Sequence, residues 1–355
     1  MAIQEILAKI TASGASDIFI VAGLPLSYKA HGQFIEHGED KLMPSDTASL
    51  ITEIYVLAGE RDMARLNKSG DDDFSFAIKG VARFRINAYK QRGSLSAVIR
   101  VINFNIPDPE DLKIPPEIIR FADKKKGLVL VTGPAGSGKS TTLACMIDHI
   151  NSTRQAHIIT LEDPLEYLHM HKKCIVSQRE VVTDTDSYLT ALRASLRQSP
   201  DVILLGEMRD YETMNVAMTA AETGHLILST LHTIGASNTI DRIIDAFPSN
   251  QQHQIAIQLS MVLQAVVSQQ LLPSTDGGIV PAFEIMTLTP AIRNMIRESK
   301  VHQIDGMIYS SAADDMIAMD TSILNLLKEG KITEKTALTY ATNSELLAKK
   351  IAMAK

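Results

Sequence analysis

The sequence is poor in cysteine, because its 355 residues contain only Cys145 and Cys174. Two thiols exclude both a disulfide framework and a four-thiolate zinc site, so we interpret them as core residues. Long apolar runs are also scarce: Ile255–Leu272, the longest apolar region, is interrupted by Gln and Ser, which argues against a membrane span. The segment Ile3–Ile10 has charged residues between its apolar positions, unlike a signal peptide. We therefore expect a cytoplasmic chain.

A long basic block is missing as well. The chain has 35 Lys and Arg against 41 Asp and Glu, for a net charge of −6. Nucleic acid is not the expected main partner, since phosphate backbones select clustered basic residues, although a local basic groove stays open. The length and the hydrophobic content of 45% predict two domains, each large enough for its own core.

Residues 1–103 are predicted to form a small α+β domain. After a first helix, short strands are expected at 17–21 and 26–30, and Ser45 or Asp46 can cap a helix that runs to about Ala58. A three-stranded meander is expected to complete this domain, with strands at 74–78, 81–90 and 94–102.

Three arginines of this meander are candidates for a cationic surface. Arg83 and Arg85 alternate with apolar residues and therefore share one face of their strand, and Arg100 lies on the next strand. Two interpretations fit this pattern equally well: a solvated face, or a face that is directed at a nucleotide in this subunit or a neighbouring one.

Residues 104–116 are predicted to be a linker between the domains. This segment contains Pro107, Pro109, Pro115 and Pro116. Because proline fixes φ and removes a hydrogen-bond donor, we expect the segment to be extended and semi-rigid.

The most informative segment is Gly127–Thr142, which reads GLVLVTGPAGSGKSTT. It places an apolar strand, a glycine-rich turn and a helix start in the order of a phosphate-binding loop, G-x-x-x-x-G-K-[ST]. Glycines let the backbone N–H groups face a phosphate, the lysine contacts the β- and γ-phosphates, and the Ser140 hydroxyl ligates Mg²⁺. The sequence thus predicts an ATP and Mg²⁺ site. The residues expected to hold the phosphates are Gly133, Pro134, Ala135, Gly136, Ser137, Gly138, Lys139, Ser140 and Thr141.

Residues 117–355 alternate strands and helices, which predicts a mostly parallel sheet with helices on both faces, followed by a helical tail. Glu162 ends one predicted strand, and Glu207 follows another after Gly206. Ligands bind at the carboxyl ends of such strands, so both glutamates are expected near the phosphate loop. The position of Gly206 lacks the usual aspartate, which leaves Glu207 to orient the attacking water. The segment Gln251–Gln270 is predicted to be helical.

Two histidines bracket the predicted strand 225–231. His232 follows its carboxyl end, where a neutral imidazole could sense the γ-phosphate or pair with a nearby glutamate, and His225 lies at its start. No Cys or carboxylate cluster accompanies the pair, so metal binding by these histidines is not expected.

Four ordered motifs resemble those of the secretion ATPase superfamily of type II secretion and type IV pilus motors: GPAGSGKSTT, ITLEDPLEYLH, ALRASLRQSPDVILLGEMRD and AETGHLILSTLHT. Within it, the sequence is most similar to type IV pilus retraction ATPases, because the N-terminal domain is short, a four-cysteine zinc module is missing, and AIRNMIRE at 291–298 resembles their C-terminal helix motif. The resemblance implies a PAS-like N-terminal domain, a RecA-like P-loop NTPase domain, and a homohexamer with ATP between subunits.

The resemblance also implies roles for individual residues. Glu207 matches the Walker B catalytic glutamate, and Glu162 the acidic-box residue that positions water or reaches Mg²⁺ through water. His232 and His225 match the histidine box. The arginines would supply positive charge to the nucleotide as the domains close. The implied partner is an inner-membrane, PilC-like pilus platform protein, with the motor peripheral at the cytoplasmic face of the membrane.

Three alternative functions stay open. An extension or secretion ATPase shares every nucleotide motif, a nucleotide-dependent scaffold would turn over little ATP, and a nucleic-acid motor would show DNA-stimulated hydrolysis.

Overall fold

The computed structural model describes residues 3–30, 32–102, 105–310 and 315–354. The chain divides into two compact units, the first comprising Met1–Asn105 with Glu166–Leu168, and the second comprising Ile106–Leu165 with His169–Lys355. The predicted boundary at residues 103 and 104 lies outside the described residues. None of the helices in these ranges is both long and apolar enough to cross a membrane.

The first unit is a six-stranded antiparallel sheet in the order β3-β2-β1-β6-β5-β4, covered on one face by helices. Alternate residues of the meander strands are buried against α1 and α2, as their polar and apolar alternation requires. The elements are α1 (Ile3–Ala12), β1 (Ala15–Ile20), β2 (Pro25–Ala30), β3 (Gln33–Lys41), α2 (Pro44–Leu57), α3 (Ala64–Ser69), β4 (Asp71–Ile78), β5 (Ala82–Gln91) and β6 (Ser94–Ile102).

Two features of this unit differ from the sequence prediction. Helix α2 is capped at Met43 rather than at Ser45 or Asp46, because Pro44 occupies the first helical position, which its fixed φ favours. Asp46 lies inside the first turn, where its carboxylate accepts a hydrogen bond of 2.7 Å from the backbone N–H of Met43. Strand β3 was not predicted, since nearly all of it is exposed and it has no buried face to give an alternating pattern.

The second unit contains a seven-stranded sheet in the order β13-β12-β7-β11-β10-β8-β9, in which only the β12–β13 pair is antiparallel. Apolar clusters cover both faces, which requires helices on both sides. Its strands are β7 (Gly127–Thr132), β8 (His157–Glu162), β9 (Ile175–Glu180), β10 (Val202–Leu205), β11 (Leu226–Leu231), β12 (Leu263–Pro273) and β13 (Ile279–Thr287). Its helices are α4 (Pro116–Arg120), α5 (Lys139–Thr153), α6 (Tyr188–Ser195), α7 (Tyr211–Glu222), α8 (Ala236–Asp245), α9 (Gln252–Val262), α10 (Pro290–Arg297), α11 (Ile304–Ser310), α12 (Met319–Lys328), α13 (Glu334–Tyr340) and α14 (Ser344–Ala354).

The prediction of a helix through Gln251–Gln270 was wrong in its second half. Helix α9 ends at Val262, and Leu263 begins β12, which lies between β7 and β13. A strand that is buried on both faces has no alternation, so its residues cannot be distinguished from a buried helix by periodicity.

The proline-rich segment is not extended as predicted. Residues 108–114 form successive turns, in which the N–H of Leu112 donates to Asp108 O (3.2 Å) and the N–H of Ile114 donates to Pro109 O (2.9 Å). Ile114 is buried in the core of the second unit. The φ value that proline imposes suits the first central position of a turn as well as an extended chain, so the proline count could not separate the two conformations.

Candidate active site

The phosphate loop joins β7 to α5. All six residues of β7 are buried, and the loop turns through positive φ at Gly133 (141°), Gly136 (75°) and Gly138 (86°). A Cβ added at Gly133 would lie 2.2 Å from the backbone oxygen of Gln269, so no other residue fits there without displacing the strand. Helix α5 begins at Lys139, and its first-turn N–H groups, including those of Ser140 and Thr141, form the anion-binding end of the helix.

Gln269, on β12, supports the loop from the adjacent strand and was missed by the sequence reasoning. Its Oε1 accepts a hydrogen bond of 2.7 Å from Thr142 Oγ1, and both side chains are buried. Its Nε2 would lie 2.8 Å from a Cβ at Gly138. No local motif identifies Gln269, because it reaches the loop only through the parallel pairing of β12 with β7.

Lys139 folds back over the loop. Its Nζ donates hydrogen bonds to the carbonyl oxygens of Gly133 (2.8 Å) and Pro134 (2.9 Å), and the residue is 8% exposed. These carbonyls hold the ammonium group at the loop, where phosphate oxygens can replace them as acceptors.

His232, Glu207 and Glu162 lie at the same edge of the sheet as the phosphate loop. They follow or end β11, β10 and β8, which are parallel, and Leu205 of β10 is opposite both Leu161 and Ser229. The carboxyl ends of parallel strands meet at one edge, as the sequence reasoning assumed.

Glu207 is 8% exposed, and the side chains of Arg209 and His232 lie beside it. Arg209 Nη2 forms an ion pair with Glu207 Oε1 at 2.6 Å, and His232 Nε2 lies 3.5 Å from Glu207 Oε2. The pairing of a histidine with a glutamate was one of the two options considered for His232. Arg209 was missed, although it lies two residues after Glu207 in the same motif.

His225 does not join this group within the chain. It precedes β11 at the amino edge of the sheet, where its Nδ1 lies 2.9 Å from Ala220 O. The six residues of β11 lie between His225 and His232, which are therefore about 23 Å apart, because a strand rises about 3.3 Å per residue. Sequence proximity placed both histidines in one motif, whereas an extended strand sends its two ends to opposite edges.

The strand order also sets the distance of Glu162 from the loop. Strands β11 and β10 lie between β7 and β8, so the end of β8 is about 14 Å across the sheet from the end of β7. Glu162 therefore lies one strand further from the phosphate loop than Glu207 does. A contact of Glu162 with a group at the loop would have to reach across the ends of β10 and β11.

Of the predicted metal ligands, Ser140 lies at the start of α5 and Glu162 ends β8. No group of three or more His, Cys, Asp or Glu residues within the described ranges could hold a metal ion. The Ser140 hydroxyl is a hard oxygen donor at the start of α5. One such donor fits Mg²⁺ that arrives with a nucleotide, since this ion usually takes its other ligands from phosphates and water.

Arg83, Arg85 and Arg100 lie on one face of the sheet in the first unit. Arg85 is directly opposite Arg100, and Arg100 Nε donates a hydrogen bond of 3.1 Å to Asp17 Oδ1. Arg83 donates to Ser75 Oγ. The side chain of Arg100 is 63% exposed, so its ion pair with Asp17 is weak and can be exchanged for another anion.

A cleft of about 270 Å³ opens beside the phosphate loop. One wall is the loop and the start of α5, and the other consists of the turns before α4 and the ends of β12 and β13. The lining residues include Gly138, Thr141, Gln269, Leu112, Ile114, Leu271 and Ile279. Most of the second wall is apolar, which suits a flat, partly apolar ligand group.

Comparisons with known proteins show which family the chain is similar to. A sequence profile of the family described as type II/IV secretion system protein matches residues 1–277. The type IV pilus retraction ATPase PilT of Pseudomonas aeruginosa is 44% identical over 337 residues, which cover 95% of this chain and 97% of that protein. A twitching motility protein of Neisseria gonorrhoeae is 42% identical and covers 90% of this chain, with 85% of that protein covered.

Solved structures confirm the predicted α/β fold class. The crystal structure of the pilus retraction motor PilT with bound ADP matches with a TM-score of 0.90 and 45% identity, covering 98% of this chain and 99% of that chain. The ATPase DotB of Legionella pneumophila matches with a TM-score of 0.78 and 26% identity, covering 94% of each chain. This chain therefore belongs to the type II/IV secretion system protein family, among its PilT-type ATPases.

Proposed function

We propose that this chain is an ATP-hydrolysing motor that powers type IV pilus retraction, and with it twitching motility. The observation that carries the proposal is the placement of Glu207, held by Arg209 and His232, at the same sheet edge as a complete phosphate loop. The similarity over nearly the whole chain to a pilus retraction ATPase supports the choice of retraction.

The phosphate loop binds the triphosphate of ATP. Backbone N–H groups of the loop and of the first turn of α5 donate to phosphate oxygens, and Lys139 exchanges its two carbonyl acceptors for them. The Ser140 hydroxyl would hold Mg²⁺, which neutralises charge on the β- and γ-phosphates when it is bound. The cleft between Thr141 and Ile114 accommodates the base.

Glu207 orients the attacking water. Glu207 is largely shielded from bulk water. Its carboxylate accepts a hydrogen bond from the water molecule that lies in line with the γ-phosphate. Arg209 and His232 fix the direction of the carboxylate. A supporting position for Glu162, acting through water, remains part of the proposal.

We propose a homohexamer that acts through an inner-membrane, PilC-like platform protein at the cytoplasmic face of the membrane. A contribution of charge from Arg83, Arg85 and Arg100 to the nucleotide stays a prediction.

Steady-state phosphate release from the purified protein tests the enzyme function. Lys139→Ala and Glu207→Ala should each abolish turnover, while only Lys139→Ala should weaken nucleotide binding, because Glu207 acts on water rather than on the nucleotide. Wild-type turnover in the Glu207 variant would refute its role. A wild-type protein that binds ATP without turnover would indicate the scaffold function.

Deletion in a piliated cell separates retraction from extension. Retraction predicts that non-retracting filaments accumulate after deletion, whereas an extension ATPase predicts that the filaments disappear. Restoration by the wild-type chain and not by the Lys139 variant is the control.

A further inference from the structure

Gly206 lies against the hydroxyl of Tyr188. Tyr188 is the first residue of α6, which is capped by Ser187 Oγ accepting from Thr190 N–H at 3.2 Å. A Cβ added at Gly206 would lie 2.9 Å from the Tyr188 hydroxyl oxygen, closer than real Cβ contacts allow. The hydroxyl therefore occupies the space into which a side chain at position 206 would project.

The backbone at Gly206 is fixed on both sides of β10. Its N–H donates to Leu161 O at 2.8 Å, and its carbonyl oxygen accepts from Thr230 Oγ1 at 2.6 Å. A side chain at 206 could not be accommodated by a simple shift of the strand, because both hydrogen bonds would be disturbed. The hydroxyl of Tyr188 is therefore the polar group that the fold presents at this position.

We propose that Tyr188 is a positioning residue for ATP hydrolysis, whose hydroxyl takes the place of the aspartate that is missing at position 206 and orients Glu207 through one bridging water. The inference rests on the proposed function, since it assigns a part in the same reaction. Tyr188 acts through Glu207 and needs no contact with the nucleotide.

The charges around Tyr188 favour a neutral donor over a carboxylate. Burial, and then the carboxylates of Glu207, Asp163 and Glu162, raise the pKa of Tyr188, so the hydroxyl keeps its proton. A fourth carboxylate at position 206 would be repelled by the other three, whereas a phenol O–H can donate to one of them or to a water between them. Glycine at 206 with tyrosine at 188 thus places a donor at the strand end without adding negative charge.

The first test is Tyr188→Phe, which keeps the ring packed in the core and removes only the hydroxyl. The kcat for ATP should fall about tenfold, the size expected for one lost hydrogen bond to a charged group. The Kd of a non-hydrolysable ATP analogue should stay within about twofold, because the phosphate loop is untouched. Tyr211→Phe is the matched control: Tyr211 begins α7, is 45% exposed, and should keep wild-type kcat.

The second test is a cycle with Gly206→Ala. In the wild-type background the added methyl group displaces the hydroxyl and should lower kcat about as much as Tyr188→Phe does. In the Tyr188→Phe background the space is free of the hydroxyl, so the same change should lower kcat by a clearly smaller factor than in the wild-type background. The neighbouring Leu161 O and Glu162 Cα, at 3.3 and 3.4 Å from the added Cβ, are the same in both backgrounds and cancel in the comparison.

Each outcome decides the inference separately from the proposed function. An unchanged kcat in Tyr188→Phe, or effects of the two substitutions that multiply, would overturn the role of Tyr188 while leaving wild-type hydrolysis intact. An equal loss of kcat and nucleotide affinity would also overturn it, because that pattern indicates structural damage. If Tyr188→Phe does not fold, Gly206→Ala alone must lower kcat with unchanged affinity. A wild-type protein without turnover would refute the proposed function itself.

Discussion

Replacing Gln269 by leucine tests whether the phosphate loop depends on its support from β12. The change keeps the volume but removes the acceptor of Thr142 Oγ1, a buried donor whose bond is 2.7 Å long. Leaving a buried donor unsatisfied costs about 1–3 kcal/mol. A threonine hydroxyl in a helix can turn to the carbonyl four residues earlier, here that of Gly138, so we expect about 1–2 kcal/mol.

The free energy of unfolding in urea measures this cost directly. The relevant transition is the one that nucleotide shifts to higher urea, since only the unit that holds the phosphate loop is stabilised by its ligand. In thermal unfolding, Gln269→Leu should lower the melting temperature of the same unit by about 2–4 °C for each kcal/mol lost. Its Kd for a non-hydrolysable ATP analogue should rise about fivefold or more, because the loop loses part of its support. Gln254→Leu, an exposed change on α9, is the control and should shift stability by less than about 0.5 kcal/mol.

A double-mutant cycle with Thr142→Val decides the cause. When both partners become apolar and keep their shape, no donor or acceptor is left unsatisfied, and the double variant should cost less than the sum of the single variants by about 1–2 kcal/mol. Additive single effects would refute the reasoning, because they would mean that Thr142 and Gln269 contribute independently.

Three further predictions concern other sites. Gly133→Ala should reduce nucleotide affinity at least about tenfold, because its Cβ would collide with backbone at 2.2 Å. The Cβ of Gly136→Ala meets nothing within 4 Å, so this variant should cost only about 1 kcal/mol of backbone strain, and binding titrations of both variants check the difference. Burial lowers the pKa of His169 to about 4, so the folded state favours the neutral imidazole, and the free energy of unfolding should fall by on the order of 3 kcal/mol as the pH drops from about 6.5 to 4. In urea titrations at a series of pH values, the free energy of unfolding of His169→Asn should depend less on pH than that of the wild type, and an equal dependence would contradict the assignment. Asp72→Asn should destabilise the first unit by about 3 kcal/mol, because its buried carboxylate pairs with an arginine and accepts from a tyrosine hydroxyl, whereas the exposed neighbour Asp73→Asn should change little in the same urea titration.

Local pattern determined a large part of the fold and of the site. The meander of the first unit and the strand and helix around the phosphate loop appear where the sequence placed them. Each of these elements has one exposed face or a fixed turn, so its period or its glycines are visible in the chain itself. Strand β12 and the turns at 108–114 were misassigned, because a strand buried on both faces loses its period and proline fits turns as well as extended chain.

The sequence by itself determined that a phosphate loop exists and that Glu207 and His232 each follow a strand, since glycine spacing and strand ends are local properties. Only the tertiary structure decided which distant residues complete the site: Gln269 meets Thr142 across 127 residues of sequence, and Tyr188 fills the space beside Gly206. The physical reason is that such contacts are set by the order of strands in the sheet and by the packing of helices on it, neither of which leaves a period or a motif in the chain.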